Sequence, residues 1–535
     1  MPDPPFEVVP YSIGRLIQLL SSPQSQASED SIRAKYHSAY FESYFHELQA
    51  RTMVVERRYV DRDYLEDYAA YYARCFRAYP RCCTRLHFFS CGFSRDDFAS
   101  LLQVTQSSLT LATLQESYLG FVVVRPLPQS VIGRTCLKTY PPDGNRRHFP
   151  VVRSYKANLF GLRLKIQSLA FQEQDRAAAA CATAALWSVF QKTGLTYQHP
   201  IPSPVEITRS ANTQFPLSSR GLPSLGLTTE QMAGAIRSVG QEPYLIEVKD
   251  EEILKSVLFA YLSGGVPVLL LFDLFHVQAG QVSPLGKHAV AVTGFSLKRA
   301  SPSAAHSVNF KADRIDKIYV HDDQVGPFAR MILGAEDLSA YGTSVSAEHR
   351  SCWDKCPLFS KTKGGSSIVA AWSDDHRAQP EFLLVPLYHK VRIPFEAVQA
   401  AVEMFANLIA TFAGAAGSPF SGFVEWGVFL TCVNDFRSGL LESRALNGEL
   451  AERVLCYDFP RFMWRATLRV DQSPKIDLLF DATDIEQGQF FHRAVEYDAG
   501  ISVYLRQVLQ QTAIESLWKS TPAWQIIEWF RSNSP

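Results

Sequence analysis

The sequence of 535 residues is 47% hydrophobic and 20% charged, proportions that are typical of a folded protein and exclude a disordered one. Its 53 basic and 53 acidic residues give a formal net charge of zero, which argues against a whole-chain role on nucleic acid or on an anionic membrane. Ten cysteines are too few for a disulfide scaffold, and the sequence has neither a secretion signal nor a run of about 18 apolar residues. The composition therefore predicts a cytoplasmic protein that binds neither nucleic acid nor a membrane.

Residues 1–150 are expected to form an N-terminal domain that mixes helices and strands. The β-branched run Tyr118–Val124 stops at Arg125 and Pro126, which is typical of a strand. The spacing of apolar and aromatic residues predicts three helices, over residues 28–53, 64–77 and 98–102. A turn-forming stretch at residues 141–145 marks the end of this domain.

Residues 151–392 are expected to form the central domain, in which helices precede most of the strands. The sequence predicts helices over residues 176–190, 229–239 and 251–262. It predicts strands over residues 244–248, 267–272, 288–295, 318–321 and 382–386. This order is typical of the α+β class, in which helices and an antiparallel sheet form separate layers.

Residues 393–535 are expected to form a C-terminal domain that is also α+β. A helix over residues 396–410 is predicted to open it. Strands are predicted over residues 423–432, 462–470 and 476–480, and closing helices over residues 504–509 and 524–530.

Cys181 is the first candidate for a chemical role. Its spacing from Ala185 and Leu186 puts the thiol at the upstream end of one helical face. A cysteine early in a helix lies near the positive end of the helix dipole, which favours the thiolate, and an upstream glutamine can donate its amide to an oxyanion. Two alternatives remain open. Either Cys181 is an ordinary buried residue, or Asp175 caps a helix that begins early and leaves Cys181 in its second turn.

A histidine and a carboxylate later in the chain favour the chemical interpretation of Cys181. His288 lies at the start of a short apolar strand, where an imidazole can exchange a proton with a thiol. Asp322 ends a second predicted strand, where a carboxylate can orient that imidazole. Because successive side chains of a strand point to opposite faces, only one of Asp322 and Asp323 is expected to face His288, and we predict Asp322.

These segments resemble the papain-like cysteine peptidases of the double-glycine leader (bacteriocin-processing) type. The resemblance covers about residues 165–330, close to a third of the chain. It lies in five pieces of sequence: residues 174–187, residues 226–232 together with Gly240, and residues 253–271, 286–294 and 318–326. In that family the cysteine caps a helix, and the histidine and the aspartate lie on strands.

The resemblance implies a papain-like central domain and a thiol protease that hydrolyses a peptide or isopeptide bond in a protein or peptide substrate. It makes Cys181 the nucleophile, His288 the base and Asp322 the orienting acid. It makes Gln174 the oxyanion donor. It implies no cofactor and no metal, and it leaves the flanking domains to bind the substrate or a partner protein.

Departures from the family pattern leave two other functions open. Ala182 stands where the family has glycine, and Asp323 stands where it has proline. The family's glutamine lies six residues before the cysteine, whereas Gln174 and Gln172 lie seven and nine residues before Cys181, so both are candidates. The alternative functions are a catalytically degenerate papain-like scaffold that binds a peptide, and a transglutaminase-like acyl transferase that uses the same three residues.

Two groups of cysteine and histidine residues fit a metal site poorly. Zinc sites usually repeat a short cysteine pair at a distance, and neither group does so. The groups are Cys82, Cys83, His87 and Cys91 in the N-terminal domain, and Cys352 and Cys356 in the central one. The sequence therefore predicts no metal site.

Overall fold

A computed structural model of the chain describes most of residues 6–533. The ranges within them that it does not describe are 22–26, 105–108, 176, 214–221, 223–225, 279–280, 301–307, 336–365, 371–375, 414–418, 421, 445, 447 and 485–487. Cys352 and Cys356 therefore lie outside the described residues. Helix and strand make up 38% and 33% of the structure, so the predicted α+β class is confirmed.

The chain divides into two compact units, each built from three segments. The first unit contains residues 1–249, 267–296 and 317–386, and the second contains residues 250–266, 297–316 and 387–535. The predicted limit at residue 150 lies inside the first unit, because one hydrophobic core joins Val54 and Phe121 to Trp187. The predicted limit at residue 392 lies near Leu387, where the last segment of the second unit begins.

The first unit contains a five-stranded antiparallel sheet, which we name the N-terminal sheet. Its strands, in the order of their pairing, are Phe6–Pro10, Thr52–Tyr59, Cys83–Phe89, Tyr118–Val124 and Ile132–Leu137. The strand predicted at Tyr118–Val124 is confirmed. All seven of its residues are buried, which explains why the sequence there is apolar without alternation.

Short helices accompany the N-terminal sheet. They are Ile13–Leu20, Glu29–Arg33, Tyr36–Glu47, Arg62–Ala70, Arg95–Leu102 and Leu111–Ser117, with a 3₁₀ turn at Tyr72–Arg74. The single helix predicted over residues 28–53 is wrong. Gln49 takes a left-handed backbone conformation (φ 57°), which ends the helix and turns the chain into the next strand.

A sheet of eight strands carries the later candidate residues. Seven of its strands pair in the order Val268–Gln278, Gln281–Leu297, Ile315–Asp322, Gly326–Ala335, Ser366–Ala370, His376–Tyr388 and Gln241–Glu247. The eighth, Arg147–His148, pairs with Gln281–Leu297. We name Gln281–Leu297 the histidine strand and Ile315–Asp322 the aspartate strand. The five strands predicted for the central domain are all present in this sheet.

Three helices and a hairpin complete this part of the first unit. The hairpin is Arg153–Leu159 with Leu162–Ser168, and the helices are Cys181–Tyr197, Pro204–Asn212 and Thr229–Ser238. Helix Cys181–Tyr197, which we name the cysteine helix, packs on strand Val268–Gln278 through a shared core that includes Leu186 and Leu269. Gly240, at φ 79°, follows the helix Thr229–Ser238, as the sequence predicts.

The second unit is built on a four-stranded antiparallel sheet. Its strands are Val424–Cys432, Phe462–Val470, Ser473–Asp481 and Phe491–Glu496, and its helices are Glu251–Ser263, Phe395–Ala413, Val433–Ser443, Gly448–Leu455, Ala499–Leu509, Thr512–Trp518 and Trp524–Ser532, with a 3₁₀ turn at Lys311–Arg314. The three strands and three helices predicted for residues 393–535 are confirmed.

Helix Glu251–Ser263, which the sequence assigned to the central domain, belongs to the second unit. It packs on strand Val424–Cys432, and a Cβ at Gly264 would lie 2.1 Å from the carbonyl oxygen of Leu430. Only glycine allows this approach, which a sequence pattern does not reveal. No helix in the described ranges has both the length and the apolar character needed to cross a bilayer.

Candidate active site

Cys181 is the first residue of the cysteine helix, and the loop before it is held by Asp175. The Asp175 Oδ1 atom accepts hydrogen bonds from the backbone N–H groups of Ala177, Ala178 and Ala179, at 2.8, 2.5 and 2.9 Å. The backbone N–H of Asp175 donates in turn to the Ala179 carbonyl, at 2.8 Å. The helix predicted from residue 176 is therefore wrong at its start, because these bonds keep the alanines in a loop despite their helix propensity.

The thiol of Cys181 lies at the positive end of the cysteine helix. Ala180 is the N-cap residue, and its methyl side chain offers no acceptor to the N–H groups of the first turn. Those donors and the helix dipole stabilise negative charge at this position, on a sulfur or on a substrate oxygen. The alternative in which Cys181 lies in the second turn of a longer helix is excluded.

His288 lies between Cys181 and Asp322. It lies on the histidine strand opposite Phe272. The two rings meet edge to face, with their centroids 5.4 Å apart. Its Nε2 atom is 3.1 Å from Asp322 Oδ1, and the side chain of Cys181 lies close enough to the ring to help raise the pKa of His288. Since Nε2 faces the carboxylate, Nδ1 is the nitrogen left for the thiol.

The charges of this group support one another. Burial lowers the pKa of His288, but the Asp322 carboxylate, and to a smaller degree the neighbouring Cys181 side chain, outweigh the effect of burial, so that the pKa lies well above the ordinary 6.5. Burial raises the pKa of Asp322. The His288 imidazolium and the N–H of Gln324 lower this pKa by more than burial raises it, so that the net shift is downward. The buried pair is therefore an imidazolium beside a carboxylate.

Asp323 also faces the imidazole, which corrects the prediction that only one carboxylate would. Its Oδ1 atom is 3.7 Å from His288 Nε2. The aspartate strand ends at Asp322, and a turn closed by the N–H of Val325 on the Asp322 carbonyl follows, so the alternation of strand side chains no longer applies. Burial raises the pKa of Asp323 to about 7.

The two candidate glutamines belong to a segment that pairs with the N-terminal sheet. The backbone N–H of Phe171 donates to the Thr135 carbonyl at 2.9 Å, and the N–H of Glu173 donates to the Ile132 carbonyl at 3.0 Å. Gln172 is buried, whereas Gln174 is half-buried and lines a cavity that also touches Ala180. The structure thus brings Gln174, and not Gln172, to the cavity beside the nucleophile.

This cavity has a volume of about 760 Å³, and its far wall comes from the N-terminal region. Lys35 and His37 line it together with Glu173, and Lys35 pairs with the Glu173 carboxylate. His37 is buried, and its ring lies against the backbone of Asp323. Sequence reasoning missed these residues, because no spacing connects residue 37 with the later strands.

Among the described residues, one group of three side chains places possible metal-ligand atoms close together: His288, Asp322 and Asp323. The cysteine and histidine group of the N-terminal sheet has other partners. His87 makes a hydrogen bond with the Tyr118 hydroxyl at 2.9 Å, and Cys91 donates to the Ser117 hydroxyl at 3.0 Å.

The sequence matches none of the protein-family models compared with it, and it has no significant match among curated proteins. The functional assignment therefore rests on the geometry of the residues described above.

Proposed function

We propose that the chain is a papain-like cysteine hydrolase that cleaves a peptide or isopeptide bond. One observation carries the proposal: a single buried imidazole, His288, lies beside Cys181 at the start of a helix and makes a hydrogen bond with the Asp322 carboxylate, 3.1 Å from its Nε2. A thiol, a proton carrier and an orienting carboxylate in this order are the parts that nucleophilic acyl transfer needs.

The layers around these residues support the papain-like arrangement. The nucleophile begins a helix, and that helix packs on an antiparallel sheet whose neighbouring strands supply His288 and Asp322. The side chains are thus held by rigid elements and not by long loops, which keeps their distances short without further ordering.

In the first step the Cys181 thiolate attacks the substrate carbonyl carbon. A carbon–sulfur bond forms, and the carbonyl oxygen becomes an oxyanion that accepts hydrogen bonds from the first N–H groups of the cysteine helix and from Gln174. The His288 imidazolium gives its proton to the leaving nitrogen as the carbon–nitrogen bond breaks. The products are a free amine and a thioester of Cys181.

In the second step water resolves the thioester. Neutral His288 takes a proton from the water as its oxygen attacks the carbonyl carbon, and the carbon–sulfur bond breaks. Sulfur leaves as the thiolate beside an imidazolium, which is the starting pair. Asp322 keeps the ring in one orientation and one tautomer throughout.

The test is hydrolysis of a peptide mixture in water labelled with heavy oxygen. We expect new carboxyl termini that carry the label, formed by the full chain and by Cys456→Ala, which removes an exposed thiol. We expect none with Cys181→Ala. Cleavage that persists in Cys181→Ala would overturn the proposal.

The same experiment separates the two alternative functions. A peptide-binding scaffold would retain peptides without forming labelled termini. A transglutaminase-like transferase would join an added primary amine to the acyl group in place of water, so the label would be replaced by the mass of the amine.

A further inference from the structure

His288, Asp322 and Asp323 have the geometry of a metal site. One ligand atom from each residue lies within 4.8 Å of the others, and all three residues are buried. His288 Nε2 is 3.1 Å from Asp322 Oδ1 and 3.7 Å from Asp323 Oδ1. Two ligands of a tetrahedral Zn²⁺ with bonds of about 2.0–2.2 Å lie about 3.3–3.6 Å apart, which is close to both separations.

Asp323 is the residue that the proposed reaction leaves without a role. Its side chain is aimed at His288 Nε2, the residue is only 4% exposed, and no other described residue donates a hydrogen bond to either carboxylate oxygen. A buried carboxyl group without a partner is costly, and native proteins normally satisfy it with a donor, a water molecule or an ion. A cation held by His288 and Asp322 would satisfy Asp323 as well.

The surroundings provide an entry path and an open coordination position. Asp323 lines the cavity of about 760 Å³ that also touches Ala180, so an ion and a water molecule can reach the group from that side. One imidazole and two carboxylates suit Zn²⁺, whereas Ca²⁺ and Mg²⁺ prefer ligand sets made of oxygen alone.

We propose that His288, Asp322 and Asp323 bind Zn²⁺ as an inhibitory ion, with water from the cavity as the fourth ligand. Zn²⁺ displaces the proton of His288 Nε2, which passes to water in the cavity, and the ion binds the lone pair that this leaves. The ion thereby replaces the hydrogen bond between His288 and Asp322. His288 is then held neutral and is no longer paired with the carboxylate that orients it, so it loses its role as proton carrier. The inhibitory consequence rests on the proposed function, whereas the ion-binding site does not.

The binding test is a Zn²⁺ titration of the full chain against a competing chromophoric chelator. We expect one tight site in the natural protein and in Cys181→Ala. We expect Asp323→Asn to weaken binding by more than about 100-fold, beyond what the loss of an outer-shell partner costs. Asp481→Asn is the matched control, because Asp481 also ends a strand but lies in the second unit, and it should bind like the natural protein. Thermal unfolding without metal verifies that each variant is folded.

A second readout follows the thiol. Zn²⁺ should slow alkylation of Cys181 by iodoacetamide in the natural protein and not in Asp323→Asn. The proposal is overturned if tight binding requires Cys181 and not Asp323, or if the Co²⁺ complex has a thiolate charge-transfer band, since the ion would then lie between Cys181 and His288. If binding depends on Asp323 but Cys181 shows no selective alkylation without metal, the site stands and the proposed function fails.

Discussion

The group around Cys181 and the cavity next to it are built in different ways. In the group, Cys181 begins a helix, Asp322 ends a strand, and His288 lies between them with a hydrogen bond to Asp322. In the cavity, which Ala180 also lines, Lys35 and Glu173 pair with each other, and Lys35 also donates to the Gln129 carbonyl at 2.6 Å. The group around Cys181 is arranged for proton transfer, whereas the cavity holds a structural ion pair.

This difference shows what the N-terminal region contributes to the site. Gln174 is positioned by its neighbour Glu173, whose carboxylate accepts from the N–H of Ile132 at 3.0 Å and whose carbonyl accepts from the Arg125 guanidinium at 2.9 Å. Residues of the N-terminal sheet therefore hold the predicted oxyanion donor. The nucleophile, the base and the carboxylate lie around Cys181, whereas the position of Gln174 depends on the N-terminal sheet.

Removal of His288 is expected to have the largest effect on the reactivity of Cys181. We expect His288→Ala to slow alkylation of Cys181 near neutral pH by at least about 100-fold, because the thiol loses its proton acceptor. His276→Ala is the matched control, since His276 lies on the neighbouring strand and its ring contacts that of His376 at a tilted angle, with ring centroids 5.2 Å apart. A rate for His288→Ala within a few-fold of that for the control would contradict the assigned role.

Substitution of Asp175 tests whether this residue holds the loop that joins the Gln174 segment to the cysteine helix. We expect Asp175→Ala to lower the free energy of unfolding by about 3 kcal/mol, because three buried N–H groups lose a charged acceptor. Asp143→Ala is the control, because Asp143 is exposed and pairs with Arg146 at the surface. Chemical denaturation measures both, and equal losses would mean that the loop before Cys181 is not held by Asp175.

Substitutions of Asp322 and Asp323 show which of the two carboxylates orients His288. We expect Asp322→Asn to reduce alkylation of Cys181 by roughly 10- to 100-fold, by analogy with outer-shell partners of histidine, and Asp323→Asn to reduce it less. The folded-state pKa of Asp322 lies below its ordinary value, so its ion pair adds stability above that value and loses it as the pH falls through the folded pKa. A larger effect from Asp323→Asn than from Asp322→Asn would show that Asp323, in the turn, orients His288.

Substitution of His87 tests how burial in the N-terminal sheet affects stability, independently of the reactivity of Cys181. Burial lowers the pKa of His87 to about 4, so the folded state resists protonation and loses stability as the pH falls from about 6.5 towards 4. We measure the free energy of unfolding of His87→Phe and of the natural protein at neutral pH and at about pH 5. Between these two pH values the natural protein is expected to lose roughly 2 kcal/mol more than the variant. A difference between the two proteins that does not change with pH would show that the pKa of His87 is the same in the folded and the unfolded state, so that burial does not lower it.

Sequence patterns predicted the parts of the site that depend on local order. An apolar strand that begins with His288, an apolar strand that ends before Asp322, and a cysteine at the start of a helical face are signals within a few residues of each site. The start of the cysteine helix was not predictable, because side-chain bonds from Asp175 override the propensity of the alanines. Asp323 was misplaced because a turn begins where the alternation of the strand was expected to continue.

The missed residues share a different cause. His37 and Lys35 reach the cavity through packing between segments far apart in the chain, and no motif carries that information. The assignment of helix Glu251–Ser263 failed for the same reason, since its partner strand, Val424–Cys432, lies far along the sequence.

The pH dependence of alkylation at Cys181, with Cys456 as an internal reference, shows whether Cys181 is an activated nucleophile. Cys456 is exposed and Cys181 is only partly so, which by accessibility alone makes Cys456 the faster thiol. With limiting iodoacetamide and peptide mapping, we expect Cys181 to react at least about 10-fold faster at about pH 6, with the ratio narrowing as ordinary thiols ionise near pH 8.5. If Cys456 reacts as fast as Cys181 or faster across this range, Cys181 is not an activated nucleophile and the account is contradicted.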